Sequence, residues 1–232
     1  MLASFNTRCH DSERLDRGEY TAAEYERWQR EMRYINRFLG DTRCLRLALA
    51  SEIQDVGSAV SILDIGAGSG EMLEVSKTMI GGRSAFLVGA EMNAEAAQSI
   101  NARVGIWAVR CDARLLPFAG DSFDFVVGSL LAHHLDDEAA IELIAEMSRV
   151  ARRRFFVIDL HRHAAAFYLY RTFGPLVLQK FTVDDGALSI RRSFRPLELK
   201  QLAEKAGVPD ATVTRRAAFR IVLSGSKAGA KA

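Results

Sequence analysis

The sequence predicts an α/β fold: a doubly wound, mostly parallel seven-stranded sheet with an antiparallel C-terminal edge hairpin and an N-terminal helical segment. Three observations carry that expectation. From about residue 60 to 160, apolar runs of strand length alternate with amphipathic runs of helix length. That βα alternation builds a parallel sheet covered on both faces. The first apolar run, "ILDIGAGSGEM", ends in an Asp and a glycine-rich turn that opens a helix. Near the C-terminus two more apolar runs follow each other so closely that an antiparallel hairpin is the expected connection.

Each element can be justified in order. Residues 1–20 show no regular pattern. The stretch "TAAEYERWQREMRYINRFLG" is a helix: Thr21 with Glu24 forms a capping box, and Tyr20 with Tyr25 a hydrophobic staple. Tyr25, Trp28, Met32, Ile35 and Leu39 recur at steps of three and four, giving one apolar face, and Gly40 is the natural stop. A second helix is expected from Thr42 to about Ile53. "VSILDIG" is a buried strand and "SGEMLEVSKTMI" a helix closed by Gly81 and Gly82. "SAFLVGAE", "GIWAVRCD", "DSFDFVVGS" and "RRFFVIDL" are the next four strands. "NAEAAQSINARV" and "DDEAAIELIAEMSRV" are helices between them. The aromatic stretch "HAAAFYLYRTFGPLVLQKF" is expected to be helical to Phe173 and broken at Gly174 and Pro175. "PLELKQLAEKAG" is a helix, and 212–217 with 219–223 form the edge hairpin.

The expected organisation is a lid over 1–58, a sheet domain over 59–224 with an insertion at about 161–195, and a flexible tail over 225–232. Lys and Arg number 31 against 29 Asp and Glu, a balance that gives no electrostatic ground for a nucleic-acid partner. Cys9, Cys44 and Cys111 are odd in number and far apart, so neither a disulfide framework nor a zinc site is expected. No apolar run reaches bilayer-spanning length, so no stable membrane insertion is expected and a reducing, cytoplasmic location is.

The glycine turn sits where open parallel sheets bind ligands, beyond the carboxyl ends of the strands. Gly66 and Gly68 let the backbone approach a ligand, and the following helix points free N–H groups at it. The third glycine of a dinucleotide GxGxxG would fall on Glu71, whose charge would oppose a pyrophosphate. The glycines are instead Gly66, Gly68 and Gly70, which suits a ligand with amino, carboxylate and sulfonium groups such as S-adenosylmethionine. Glu91, ending the second strand, can accept from two ribose hydroxyls. Asp112, after the third, can accept from an adenine amino group beside Leu115, Leu116 and Phe118.

Together "LDIGAGSGEML", "FLVGAEMN", "CDARLLPFAGDSFDFVVGSLLAHHL" and "EMSRVARRRFFVIDL" resemble the class I S-adenosylmethionine-dependent methyltransferases, with their Rossmann-like sheet. More narrowly they resemble the ubiquinone/menaquinone-biosynthesis group, with small-molecule acceptors. The resemblance is close over about 60–160. It implies that Asp64, Gly66, Ala67 and Gly68 hold the methionine part. Glu91 would bind the ribose, Met92 would pack on the adenine, and Asp112 with Ala113 would hold its edge. Ser129 would lie by the sulfur. The N-terminal helices would form a lid, from which Arg33 and Asn36 could reach cofactor or acceptor.

Methyl transfer is an in-line displacement, so the enzyme chiefly aligns acceptor, methyl and sulfur and excludes water. A phenolic acceptor, with a pKa of about 10 like Tyr, is helped by a base. His133 and His134 follow the fourth strand, and His161 and His163 the fifth, both at the ligand end of the sheet. His134 and His161 are the expected catalytic residues. Phe167, Tyr168, Tyr170 and Phe173 are candidates for an aromatic or polyketide-like acceptor pocket, with Arg191, Arg192 or Arg195 as anchors for an acidic group. No metal is expected, because "VIDLHRH" lacks the Asp-Asn pair of the metal-dependent catechol type. The expected activity is O-methylation of a phenolic or polyketide-type secondary metabolite, with C-methylation of an activated ring as its near alternative. A nicotinamide-dependent oxidoreductase is disfavoured by Glu71 and by the lack of a Tyr-x-x-x-Lys pair. A non-catalytic protein of the same fold is disfavoured by the intact loop, Glu91 and Asp112.

Overall fold

The structure, a computed structural model, describes residues 4–226. Seven strands form one sheet: β1 (Ala59–Ile65), β2 (Ser84–Glu91), β3 (Ile106–Arg110), β4 (Phe123–Ser129), β5 (Ala151–Leu160), β6 (Thr212–Arg216) and β7 (Arg220–Gly225), in the order β3-β2-β1-β4-β5-β7-β6. The first five are parallel and β7 runs antiparallel to both β5 and β6, the architecture expected from the sequence. The order reverses at β1 and β4, whose carboxyl ends lie side by side with Ile65 paired to Gly128. That crevice is where such a sheet takes a ligand.

Nine helices surround the sheet among the described residues: α1 (Arg14–Arg17), α2 (Ala22–Phe38), α3 (Asp41–Gln54), α4 (Glu71–Ile80), α5 (Ala94–Asn101), α6 (Asp137–Val150), α7 (Ala164–Phe173), α8 (Lys180–Arg192) and α9 (Pro196–Lys205). Short 3₁₀ turns follow β4 at Ala132–His134 and α7 at Gly174–Leu176. Their ends follow local chemistry. The Thr21–Glu24 capping box is formed and Tyr20 stacks on Tyr25 with ring centroids 5.1 Å apart. Asn93 caps α5 and Asp136 caps α6 through their side chains, and Pro196 opens α9. Gly40, at φ +102°, stands between α2 and α3 in a conformation that suits only glycine well.

Two apolar layers form, one on each face of the sheet. One packs α6 and α9 on Leu63, Ile65, Val126 and Phe155. The other packs α3, α4 and α5 on Ile62, Leu87, Phe125 and Ile158. Strands buried on both faces explain why the parallel runs read as continuous apolar stretches rather than alternating ones.

Three features depart from the sequence reading. The first is α8, a thirteen-residue helix inside the stretch expected as an insertion. Local propensity hides it, because Gly186 sits mid-helix beside Asp184 and Asp185. Tertiary contacts reward those residues. The Asp185 carboxylate accepts the Arg14 and Leu15 N–H groups at 3.0 and 2.9 Å. A Cβ at Gly186 would overlap the Tyr170 hydroxyl.

The second is the N-terminal stretch. It has little regular structure, yet it is strapped across the molecule: the Cys9 N–H donates to the Arg191 carbonyl at 3.1 Å. The Arg8 guanidinium donates to the carbonyls of Arg192 and Leu135 and lies 3.6 Å over the Phe194 ring. The third is Gly225, which pairs with Phe155 inside β7, not in a tail. Residues 227–232 of the expected tail lie outside the described residues. Among the described residues no helix is long and apolar enough to cross a membrane.

Candidate active site

A single cleft of about 1800 Å³ runs over the carboxyl ends of β1, β2 and β4, under α2, to the histidines after β4 and β5. Ligand pockets for one drug-sized molecule are ~300–1000 Å³, so this cleft has room for a cofactor and an acceptor together.

The glycine turn forms its floor. Gly66 and Gly68 have φ of +67° and +52°. The Gly66 N–H donates to the Ala90 carbonyl at 2.8 Å, and a Cβ there would lie 3.2 Å from Leu131. The Gly68 N–H donates to Glu91 Oε2 at 2.8 Å, while Oε1 accepts the Asn93 N–H at 2.9 Å. Glu91 therefore locks the turn to the end of β2 as well as lining the cleft. Gly70, at φ +76°, caps α4, and Glu71 in its first turn accepts from Asn36 Nδ2 of α2 at 3.0 Å. That bond ties the lid to the floor.

Asp64 ends β1, is 2% exposed, and its Oδ2 has no hydrogen-bond partner. Burial, and then the nearby Glu91 charge, pushes its carboxyl up to about 8. Ser129, at the end of β4, likewise has a buried Oγ without a partner, as does Asn36 at Oδ1. Buried polar atoms are almost always satisfied, so orphans gathered in one cleft mark a polar ligand. A cation at Asp64 would satisfy Oδ2 and restore the carboxylate, so the amino group of S-adenosylmethionine fits the donors present.

On the adenine side, Met92 is 68% exposed in the cleft and Ala113 packs partly against the core. Asp112 has both oxygens engaged by Arg114, with Nη2 to Oδ2 at 2.7 Å and the backbone N–H to Oδ1 at 2.9 Å. Arg114 holds its carboxyl below the usual range. Arg33 and Asn36 reach the cleft from α2. So does the whole apolar face of α2, and Tyr25 stacks on Trp28 with centroids 5.6 Å apart. The residue of α2 that is buried is Glu31, which accepts from the Gln179 N–H at 3.0 Å and from the Thr182 hydroxyl. The helix is thus held by a polar anchor on α8 and shows its apolar stripe to the ligand space.

The histidines divide sharply. His133, 3% exposed, has Nδ1 2.6 Å from Asp159 Oδ1, and its N–H donates to Asp159 Oδ2 at 3.0 Å. Burial alone would raise the Asp159 carboxyl, but His133 and the amides of Leu160 and His133 outweigh it and hold the pKa low. His134, a ring neighbour at 4.2 Å, lies with Nδ1 3.2 Å from Asp16 Oδ1. Glu13, buried, offers a carboxylate oxygen within 4.8 Å of donor atoms of both histidines. Arg192 supplies the positive charge this cluster calls for, donating to Asp16 at 2.7 Å and to the carbonyls of His133 and His134. His161 lines the cleft after β5. Burial, and then the charges of His163 and Arg215, push it down to about 4. His163 turns away and caps α7.

Of the aromatic candidates, Tyr170 and Phe173 line the cleft, whereas Phe167 and Tyr168 pack on Phe5. The arginine anchors are corrected. Arg191, Arg192 and Arg195 are not in the cleft lining, and Arg195 donates to the Phe5 carbonyl. Sequence reasoning missed Glu13, Asp16 and Asp159. Asp159 had a signal, a charged residue inside an apolar strand; Glu13 and Asp16 had none, since they sit in a stretch without periodicity.

The sheet order, the glycine turn and the buried acid at the switch point agree with the resemblance to the class I methyltransferases. Residues 62–154 match the family of methyltransferase domains. The chain accordingly carries a methyltransferase domain over residues 62–154, with S-adenosylmethionine-dependent methyl transfer as its activity and S-adenosylmethionine as its cofactor. It is similar to the plantazolicin methyltransferase BpumL, solved with a pentazolic desmethyl analogue and S-adenosylhomocysteine (TM-score 0.67, 18% identity, covering 85% of this chain and 89% of that one). It is also similar to magnesium protoporphyrin IX methyltransferase (ChlM) from Synechocystis PCC 6803 with bound S-adenosylhomocysteine (0.63, 13%, 92% and 99%). A third similar structure is an S-adenosylmethionine-dependent methyltransferase from Aquifex aeolicus (0.53, 15%, 81% and 97%). No curated protein sequence matches the chain.

Proposed function

We propose that this enzyme O-methylates a small, flat acceptor of phenolic or polyketide type. The observation that carries the reading is one continuous cleft, with the partnerless Asp64 carboxylate at one end and paired histidines at the other. An apolar, aromatic-lined space between them suits a planar ring. Two similar structures, a plantazolicin and a magnesium protoporphyrin IX methyltransferase, support a small-molecule acceptor.

In this reading Asp64 binds the amino group of the cofactor, and the backbone of Gly66, Ala67 and Gly68 lies along its methionine part. Glu91 uses its remaining lone pairs for the ribose, Met92 covers one adenine face, and Asp112 with Ala113 meets the adenine edge. Asp112 does so once Arg114 releases an oxygen. Ser129 lies at the sulfur end. Bound there, the cofactor supplies an electrophilic methyl group on a sulfonium. The chain aligns the acceptor under α2 and keeps water out.

His134 and His161 are assigned to the acceptor's polar surroundings, not to its deprotonation. The Asp16 carboxylate beside His134 is already engaged by Arg192 at 2.7 Å, so it lends an imidazolium less support, and His161, held near 4, is neutral at pH 7 but too weak a base for a phenol. The test is a mass-spectrometric screen of protein and S-adenosylmethionine against pooled phenols, hydroxy-pyrones, quinols and carboxylic acids. A product one methylene heavier in a phenol or hydroxy-pyrone pool supports the reading. A product only in another pool, or none while S-adenosylhomocysteine still binds, ends it.

A further inference from the structure

We propose that His133, oriented by Asp159, is the base that takes the acceptor's proton; this rests on the reading of a hydroxylic acceptor. The sequence points to other histidines, and the geometry singles out this one. Asp159 accepts three N–H groups: the His133 amide, the Leu160 amide and the His133 ring. An ionised carboxylate is an acceptor only, so the ring proton of a neutral His133 resides on Nδ1. The lone pair then lies on Nε2, which has no hydrogen-bond partner among the described residues, on a side chain that lines the cleft. An aspartate on Nδ1 fixes the tautomer of a catalytic histidine and stabilises the imidazolium that forms.

The other groups around the ring are suited to that charge. Glu13 lies near it from the N-terminal strap, the His134 ring is tilted against it with centroids 4.2 Å apart, and Arg192 of α8 donates to its carbonyl. Arg192 is balanced by its own pairs with Asp16 and Glu13, at 2.7 and 3.7 Å. A proton arriving at His133 therefore meets the Asp159 carboxylate on Nδ1, with the arginine already held by Asp16; burial pushes the nearby Glu13 carboxyl up.

The step balances. The acceptor hydroxyl gives its proton to His133 Nε2, and the oxygen's electron pair forms the bond to the methyl carbon. The carbon–sulfur pair stays on sulfur, leaving S-adenosylhomocysteine, the methyl ether and an imidazolium that returns its proton to water.

A residue that merely pins the turn after β4 would affect all acceptors alike; a base affects those that need deprotonation. The experiment compares His133→Ala and Asp159→Asn with wild type on two probes, unsubstituted phenol and 4-nitrophenol, at mildly alkaline pH where the second is already ionised. General-base catalysis contributes ~10²–10⁴-fold, so His133→Ala is expected to lose that much kcat on phenol. On 4-nitrophenol it should lose less than ~10-fold, with S-adenosylhomocysteine affinity unchanged. Asp159→Asn should show the same split in smaller measure. Equal losses on both probes overturn the proposal.

Nitrogen NMR of the ring in wild type gives a reading independent of folding in the variants or of the acceptor. In the neutral ring, Nδ1–H with a bare Nε2 is expected. A neutral ring with its proton on Nε2 overturns it. If wild type methylates neither probe, the phenolic reading fails while the NMR result still judges the dyad.

Discussion

In the proposed binding mode, one buried side chain, Asp64, sets the terms of cofactor binding. Its carboxyl, held at about 8, is mostly protonated in the free protein at neutral pH, and a cationic amino group requires it ionised. Binding therefore releases a proton. S-adenosylhomocysteine affinity is expected to rise up to ~10-fold per pH unit from about pH 6 to about pH 8, read by calorimetry in buffers of different ionisation enthalpy. Asp64→Asn should weaken binding and flatten that rise. His161 works in the other direction, on stability. Its folded pKa of about 4 lies below the ordinary ~6.5, so the native state binds fewer protons than the unfolded chain between those values. The stability it contributes is present above ~6.5 and lost as pH falls through about 4. His161→Gln should remove that part of the acid-side slope in urea titrations.

At the scale of elements, α2 and α8 form one device. The lid helix is tethered by Glu31 to Gln179 and Thr182 of α8 and by Asn36 to Glu71 of α4, leaving its aromatic stripe for the acceptor. Trp28→Ala should raise the acceptor KM several-fold and leave S-adenosylhomocysteine affinity within about twofold, since Trp28 lies on the lid and not on the glycine turn. Thr21→Ala removes the capping side chain and should cost about 1 kcal/mol of lid stability, seen as faster amide exchange over Ala22–Phe38. The cap and the staple were legible because both are encoded within the six residues Tyr20 to Tyr25. The helix α8 was not, because a mid-helix glycine reads as a break until Tyr170 is seen packed on it.

Across the whole molecule, the buried pair of Asp41 and Arg220 joins the first residue of α3 to the last strand, with Nε to Oδ1 at 2.6 Å and Nη2 to Oδ2 at 2.8 Å. Arg220 also borders the cleft, so the pair fixes the base of the lid to the C-terminal edge of the sheet. Its partners are 179 residues apart. Removing one partner strands a buried charge, so Asp41→Ala should destabilise by about 3–5 kcal/mol in urea unfolding. Replacing both by apolar residues of similar volume should recover most of that loss. A variant Asp41→Ala as stable as wild type would show that water reaches Arg220.

The sequence by itself determined the sheet, its seven strands in chain order, every helix of eight residues or more except α8, the glycine turn and the acids at the carboxyl ends of β1, β2 and β3. These are local signals: periodicity, caps and the spacing of residues along one strand or turn. Tertiary structure alone decided which histidine meets a carboxylate and which lies near another. His133 and His134 are adjacent in the chain, yet one faces Asp159 across the sheet and the other faces Asp16 on the N-terminal strap. It also decided that an apolar helix face looks into a cleft rather than a core, and that the Arg192 and Arg195 side chains hold the scaffold and stand outside the cleft lining. The physical reason is the same in each case: such roles depend on which distant group desolvates or pairs a side chain, and periodicity along the chain carries no record of that.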